Sequence, residues 1–411
     1  MTASYLQTLR LLNRDVRLFL VTAFLFGFGY AGIYFLLVNL YLLRLGYDLE
    51  FIGLFVATGA LSFAVFSLPA GALCRRWGSR RTMIAGMILF PIGLGLLALT
   101  ALLPPNLRTP WLIFFCALRE LGNALYMVGS SPFLMAVTSE TERNHAFSVR
   151  SALTLLAGFA GSLIGGLLPG WSATLLDLRT EDPLAFLLPL LFAALIFIPG
   201  ILALMATRPI ETSAPPAPVD SPKERPPYRL IAPMAVVGFL YMIASAAGFS
   251  FYSVYMDAEL SVSTEWIGTL AAIGQLLAFP MALTTPLWAR RWGNDRVFVA
   301  IALGTAVSLL PLALLPHWGA AGLGIIGLIV LNAMAIPTIS VFHQELVEDT
   351  WKPTMSGAFS MASALGWTAI AAVGGFLIEA WGYASFFLGS AGMTIVGTLF
   401  FAIYFRRVGG E

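Results

Sequence analysis

Apolar positions in this chain come in long unbroken runs, not in the alternating or one-faced patterns of soluble strands and helices. Breaking the 411 residues at charged or Pro/Gly-rich gaps leaves twelve runs, near 18–43, 51–73, 82–103, 111–137, 146–170, 185–206, 231–256, 266–288, 297–315, 322–344, 355–379 and 384–405. Each approaches the ~20 apolar residues that cross a bilayer as a helix. The pattern therefore predicts an all-α membrane protein of twelve spans. The first run is longer than a signal-peptide core and has no small-residue cleavage pattern behind it, so it reads as a span.

The runs repeat. Cys74-Arg75-Arg76-Trp77-Gly78 returns 215 residues later as Ala289-Arg290-Arg291-Trp292-Gly293, and Glu50-Phe51-Ile52-Gly53 returns at the same offset as Glu265-Trp266-Ile267-Gly268. Further on, Ala146-Phe147-Ser148-Val149-Arg150-Ser151-Ala152-Leu153 faces Ala358-Phe359-Ser360-Met361-Ala362-Ser363-Ala364-Leu365 at an offset of 212. Two six-helix halves are predicted, residues 1–206 and 231–411, joined by a solvated Pro-rich linker over 207–230 whose plainest role is a tether. Membrane folds built from such repeats characteristically carry small molecules through a site between the repeats.

Composition agrees: 59% of residues are hydrophobic and 11% charged, so lipid must cover much of the surface. The net charge of +2 becomes informative only when the charges are placed by side. With twelve spans, 18 of the 23 Lys and Arg residues fall on the side of the termini and three, Arg44, Arg108 and Arg179, on the other. Both termini are therefore expected in the cytosol. Two cysteines, Cys74 and Cys116, imply no disulfide framework. The three histidines have no metal-ligand spacing, and no nucleophile–base set or phosphate-cradling loop is readable, so no metal, cofactor, nucleic acid or enzymatic reaction is expected.

The loop after the second span reads Gly71-Ala72-Leu73-Cys74-Arg75-Arg76-Trp77-Gly78-Ser79-Arg80-Arg81. It resembles the Gly-x-x-x-Asp-Arg-x-Gly-Arg-Arg loop of the major facilitator superfamily, matching at Gly71, Arg76, Gly78 and Arg80, with Arg75 where that family has Asp. Arg290, Arg291 and Gly293 are the copy in the second half. The fifth span carries Gly161-Ser162-Leu163-Ile164-Gly165-Gly166, similar to the glycine-rich antiporter pattern but with Ser162 in place of proline. The resemblance, most marked to the bacterial drug:proton antiporter branch, implies a monomeric secondary transporter working by alternating access. Its loop arginines are expected to latch cytosolic helix ends to acids such as Glu140, Glu142, Glu345, Glu348 or Asp349. The plainer alternative is that they only set orientation.

Three charges fall inside predicted spans: Arg119, Glu120 and Arg150. Arg119 lies eight residues in from Trp111, about 12 Å at helical rise and so near the midplane. It also resembles the arginine that family members carry in this span, although the following glycine, Gly122, is three residues on instead of four. Glu120 is adjacent, about 100° around the helix, so at least one of the two is expected to meet a neighbouring span. Arg150 is matched by Ala362 in the second half. Charges at such depth line cavities or pair with each other, and a structural ion pair, or an arginine reaching the interface, are the alternatives to function. Uncharged groups that suit an organic substrate are Tyr30, Tyr34 and Asn39 in the first span and Tyr252, Gln275, Asn332 and Trp367 in the second half. Three readings stay open: proton-coupled export of an amphipathic or drug-like molecule, uptake of an organic anion, and a receptor or scaffold on a transporter fold.

Overall fold

The computed structural model describes residues 13–208, 227–348 and 351–408. Ten helices are α1 Arg14–Arg44, α2 Leu49–Trp77, α3 Ser79–Leu102, α4 Pro105–Val137, α5 Glu140–Leu176, α6 Pro183–Met205, α7 Tyr228–Glu259, α8 Thr264–Trp292, α9 Asn294–Leu314 and α10 Trp318–Glu345. The last helical stretch, Lys352–Val408, has an apolar length of 52 residues, far more than one ~30 Å hydrocarbon core accepts. It turns at Gly382, whose φ of 78° and ψ of 164° are not helical, giving α11 (352–381) and α12 (383–408). All twelve expected spans are thus present as helices. Large apolar side chains remain exposed along them, among them Leu68, Leu323 and Trp381 at 83, 69 and 69%, a surface that only lipid can cover. Most of the linker, residues 209–226, lies outside the described residues.

The described residues form two compact units, one of 13–38 and 62–208, the other of 39–61 and 227–408. In the first, α1 is wound as a π-helix over Gly27–Tyr34. That stretch presses on α5: a Cβ on Gly32 would sit 2.5 Å from Gly161 Cα, and one on Gly161 would sit 2.2 Å from the Phe28 carbonyl oxygen. The glycine-rich pattern of the fifth span is therefore a backbone-to-backbone contact that admits no side chain.

In the second unit, the end of α1 and the first half of α2 pack with α7 and α11. Asn39 Nδ2 donates to the Ser250 carbonyl at 2.8 Å, and Arg44 holds both oxygens of Asp257 at 2.7 and 2.8 Å. A Cβ on Gly375 would lie 2.2 Å from the Leu49 carbonyl oxygen. The core of this unit is apolar and aromatic, built around Met234, Tyr241, Phe298, Met334, Phe342 and Phe401.

Candidate functional site

The buried charges sit on α4. Its 33 residues start at Pro105, where a missing N–H costs nothing, and α3 lies close enough that a Cβ on Gly122 would be 2.4 Å from Phe90 N. This approach sets the Phe90 ring beside Arg119. The π-helical stretch of α1 supplies Tyr30 and Tyr34, stacked with centroids 5.8 Å apart. The Arg119 guanidinium lies 4.2 Å from the Tyr34 ring centroid, 5.6 Å from Tyr30 and 5.7 Å from Phe90. Four of the residues singled out above, Tyr30, Tyr34, Arg119 and Glu120, are brought together within the first unit.

Arg119 and Glu120 are 3 and 5% exposed and bond each other, Nη2 to Oε1, at 2.5 Å. The long arginine side chain thus meets the neighbouring helices α1 and α3 and still reaches back to its sequence neighbour across the 100° between them. The second Glu120 oxygen accepts from Asn123 Nδ2 at 2.8 Å. Asn123 was not among the residues singled out, although its place three positions after Glu120 puts it on the same helix face. Cys116 is buried beside the pair. Arg119 Nε and Nη1 meet no acceptor at hydrogen-bonding geometry among the described residues. The carboxylate is fully engaged while the guanidinium keeps unused donors, enclosed by aromatic faces in a medium where each charge is strongly felt.

Arg150 stands apart on α5, half-buried, with its guanidinium 5.7 Å from the Phe19 ring centroid. Tyr126 near it shares a 3.0 Å hydrogen bond with Thr22. The remaining polar residues named above belong to the other unit: Asn39 on Ser250, Tyr252 buried in α7, Trp367 stacked on Phe249 at 6.1 Å, and Gln275 and Asn332 half-buried in α8 and α10. Sequence reading also left out the Arg44–Asp257 pair, because each charge falls one residue beyond the end of its predicted span.

At the loop motif, Gly78 (φ 83°, ψ 155°) and Gly293 (φ 86°, ψ 152°) adopt the same conformation between consecutive helices. Arg80 donates to the Met205 carbonyl at 2.6 Å and to Thr207 Oγ1 at 2.9 Å, at the end of α6. Gly71 has open space around it, and Arg75, Arg76, Arg290 and Arg291 are exposed. Of the acids proposed as latch partners, Glu142 caps its own helix at Ser139, Glu345 accepts from Asn294 at 3.1 Å, and Glu348 is exposed; Asp349 and the side chain of Glu140 lie outside what is described. Among the described residues no cluster of His, Cys, Asp and Glu could hold a metal ion.

The model of the Major Facilitator Superfamily matches residues 19–371 and, again, 234–410. The chain belongs to this superfamily. It is a multi-pass membrane transporter, not an enzyme. Among curated relatives, it is 30% identical over 102 residues to the multidrug resistance protein MdtH of Proteus mirabilis, covering 25% of this chain and 23% of that protein. The MdtH of Yersinia enterocolitica is 26% identical over 129 residues, 31% and 29% of the two chains. The matched segments thus span less than a third of these relatives' length. Solved structures share the fold at 14–15% identity. They include a POT family transporter bound to a thioalcohol-conjugated peptide (TM-score 0.76, 96% of both chains), the nucleoside transporter NupG (0.71, 96 and 100%) and a D-xylose–proton symporter (0.72, 94 and 96%).

Proposed function

We propose that this protein exports an amphipathic or drug-like small molecule against inward proton flow, by alternating access, as a monomer in a bacterial inner membrane with both termini in the cytosol. The observation that carries this reading is the enclosed Arg119–Glu120–Asn123 group under Tyr30 and Tyr34. With Glu120 charged, Arg119 is neutralised and the site suits an apolar or cationic substrate. When Glu120 takes a proton, the guanidinium is released, the charge balance of the site changes, and substrate and proton compete for one place. Multidrug resistance in the names of the relatives and a proton symporter among the fold neighbours support the direction and the coupling ion. In this scheme residues 1–206 and 231–411 are the rocking halves, and the loops at Gly78 and Gly293 flex between states.

Proteoliposomes provide the test. Glu120→Gln should abolish uphill transport driven by a proton gradient while leaving substrate binding and downhill exchange in place. A Gln variant that still concentrates substrate on a proton gradient alone removes the coupling role. Orientation is checked with reporters: fusions after Gly78, within 215–221 and after Gly293 should read cytosol, and fusions at Asn106 or Asp177 the outside. A cytosolic signal at Asn106 overturns the topology. The unused Arg119 donors favour a second reading, uptake of an organic anion whose carboxylate takes the place of Glu120 on the guanidinium. Substrate accumulation that depends on Arg119 and persists in Glu120→Gln selects it.

A further inference from the structure

At the arginine-rich end of α8, a cavity of about 290 Å³ opens between α8 and α10. Pro286, Ala289, Pro337 and Val341 give it apolar lining, and Arg290, Asn294, Thr285 and Thr338 add polar side chains. The same two helices carry exposed apolar side chains: Leu283 and Leu287 on α8 are 53 and 62% exposed, and Ile336 on α10 is 61% exposed. Trp288 and Trp292, each more than 40% exposed, make an edge-to-face pair at 5.0 Å on the turn of α8 that carries Arg290. The lining includes no carboxylate; Glu345 is held by Asn294, and Asp295 is one position beyond it.

Each feature matches a part of a phospholipid. Tryptophan pairs mark the depth of the headgroup region, apolar walls accept the first methylenes of an acyl chain, and a guanidinium is the side chain best shaped to hold a phosphate oxygen pair. The charge distribution that places this end of α8 on the cytosolic side also places it in the leaflet where basic residues meet anionic lipid. We propose that this cleft binds one anionic phospholipid, its phosphodiester on Arg290 and its proximal acyl chain between Pro286 and Val341. The assignment is independent of the transported substrate, because it lies wholly within the second unit and uses none of the residues around Arg119.

The test is native mass spectrometry of the full chain in detergent, titrated with phosphatidylglycerol or with phosphatidylcholine of the same acyl chains. The wild type should retain one phosphatidylglycerol at concentrations where phosphatidylcholine is lost. Arg290→Gln should weaken phosphatidylglycerol retention about fivefold, and Arg290→Lys should restore most of it. Ala289→Trp, which fills the cavity, should lose the lipid, whereas Arg229→Gln, at a separate exposed arginine, should not. Equal retention of the two lipids, or an Arg290→Gln variant that binds like wild type, overturns the proposal. Displacement of the lipid by millimolar inorganic phosphate alone overturns it as well, since the site is then one for a free anion.

Discussion

Helices α4 and α10 differ in the charge they bury. On α4, Arg119, Glu120 and Asn123 are all at most 6% exposed and depend on one another for charge balance and hydrogen bonds. On α10, Asn332 stays half-buried, His343 is buried against the Phe359 ring with centroids 5.5 Å apart, and the buried Thr338 returns its hydroxyl to the Met334 carbonyl of its own helix at 2.9 Å, as Ser130 on α4 does to Met127 at 2.8 Å. The same device recurs elsewhere in the second unit, with Thr305 on Ile301 and Thr398 on Thr394. A hydroxyl satisfied by its own helix can be buried almost anywhere. A charge pair cannot: desolvation takes back most of what the pairing gives, and apolar residues of similar size would often be as stable. Among the described residues the fully buried Arg and Glu both belong to the first unit. Stability alone gives no reason to keep them there, which is the energetic case for placing the coupling chemistry on α4.

The largest expected effect follows directly. Arg119→Met strands a buried carboxylate and should cost about 3–5 kcal/mol in unfolding of the purified protein. Arg119→Met combined with Glu120→Leu should recover most of that stability without recovering transport. Asn332→Leu on α10 should change stability by less than about 1 kcal/mol. If Arg119→Met proves as mild as Asn332→Leu, the contrast between the two helices has no energetic basis.

An effect of intermediate size is expected where the two units are alike. Gly78 and Gly293 lie in a backbone region that only glycine occupies without strain, and their angles differ by no more than 3°. Gly78→Val and Gly293→Val should each cost about 1–3 kcal/mol if the loop keeps its shape. Substrate affinity should be retained while turnover falls, as expected when a moving loop is impaired. Well-expressed variants with normal flux would remove both loops from the cycle.

Those glycines were legible because a break between two apolar runs, preceded by paired arginines and repeated 215 residues later, has few structural solutions. The twelve spans were legible for the same kind of reason: lipid tolerates only long apolar helices, so run length alone carries the signal. Run length does not report how a helix is wound. The π-helical stretch of α1, which carries Tyr30 and Tyr34 beside Arg119, packs on α5 through Gly32 and Gly161, a contact between residues over 100 apart in sequence. Arg119 and Glu120 stood out because charge is costly in a span, and an ion pair between them was one of the two readings open. The part of Asn123 was not legible, since an uncharged amide in a span carries no comparable cost.

The smallest effect concerns the one mismatch in the repeated octet, Arg150 against Ala362. Arg150 is half-buried, and its guanidinium lies over the Phe19 ring at 5.7 Å, worth about 0.5–1 kcal/mol for a cation over an aromatic face at a partly exposed site. Arg150→Ala, which makes the first half resemble the second, should therefore lower stability by no more than about 1 kcal/mol. An arginine that only anchors its helix at the interface predicts nothing further. If Arg150 instead belongs to the path of the substrate, initial rates in proteoliposomes should fall about tenfold or more, out of proportion to the lost stability. Arg150→Lys should then restore rates only in part, because an ammonium keeps the charge but not the flat stacking surface. We expect the disproportionate loss. Unchanged rates in a stable Arg150→Ala protein would reduce the asymmetry of the two halves to the single ion pair on α4.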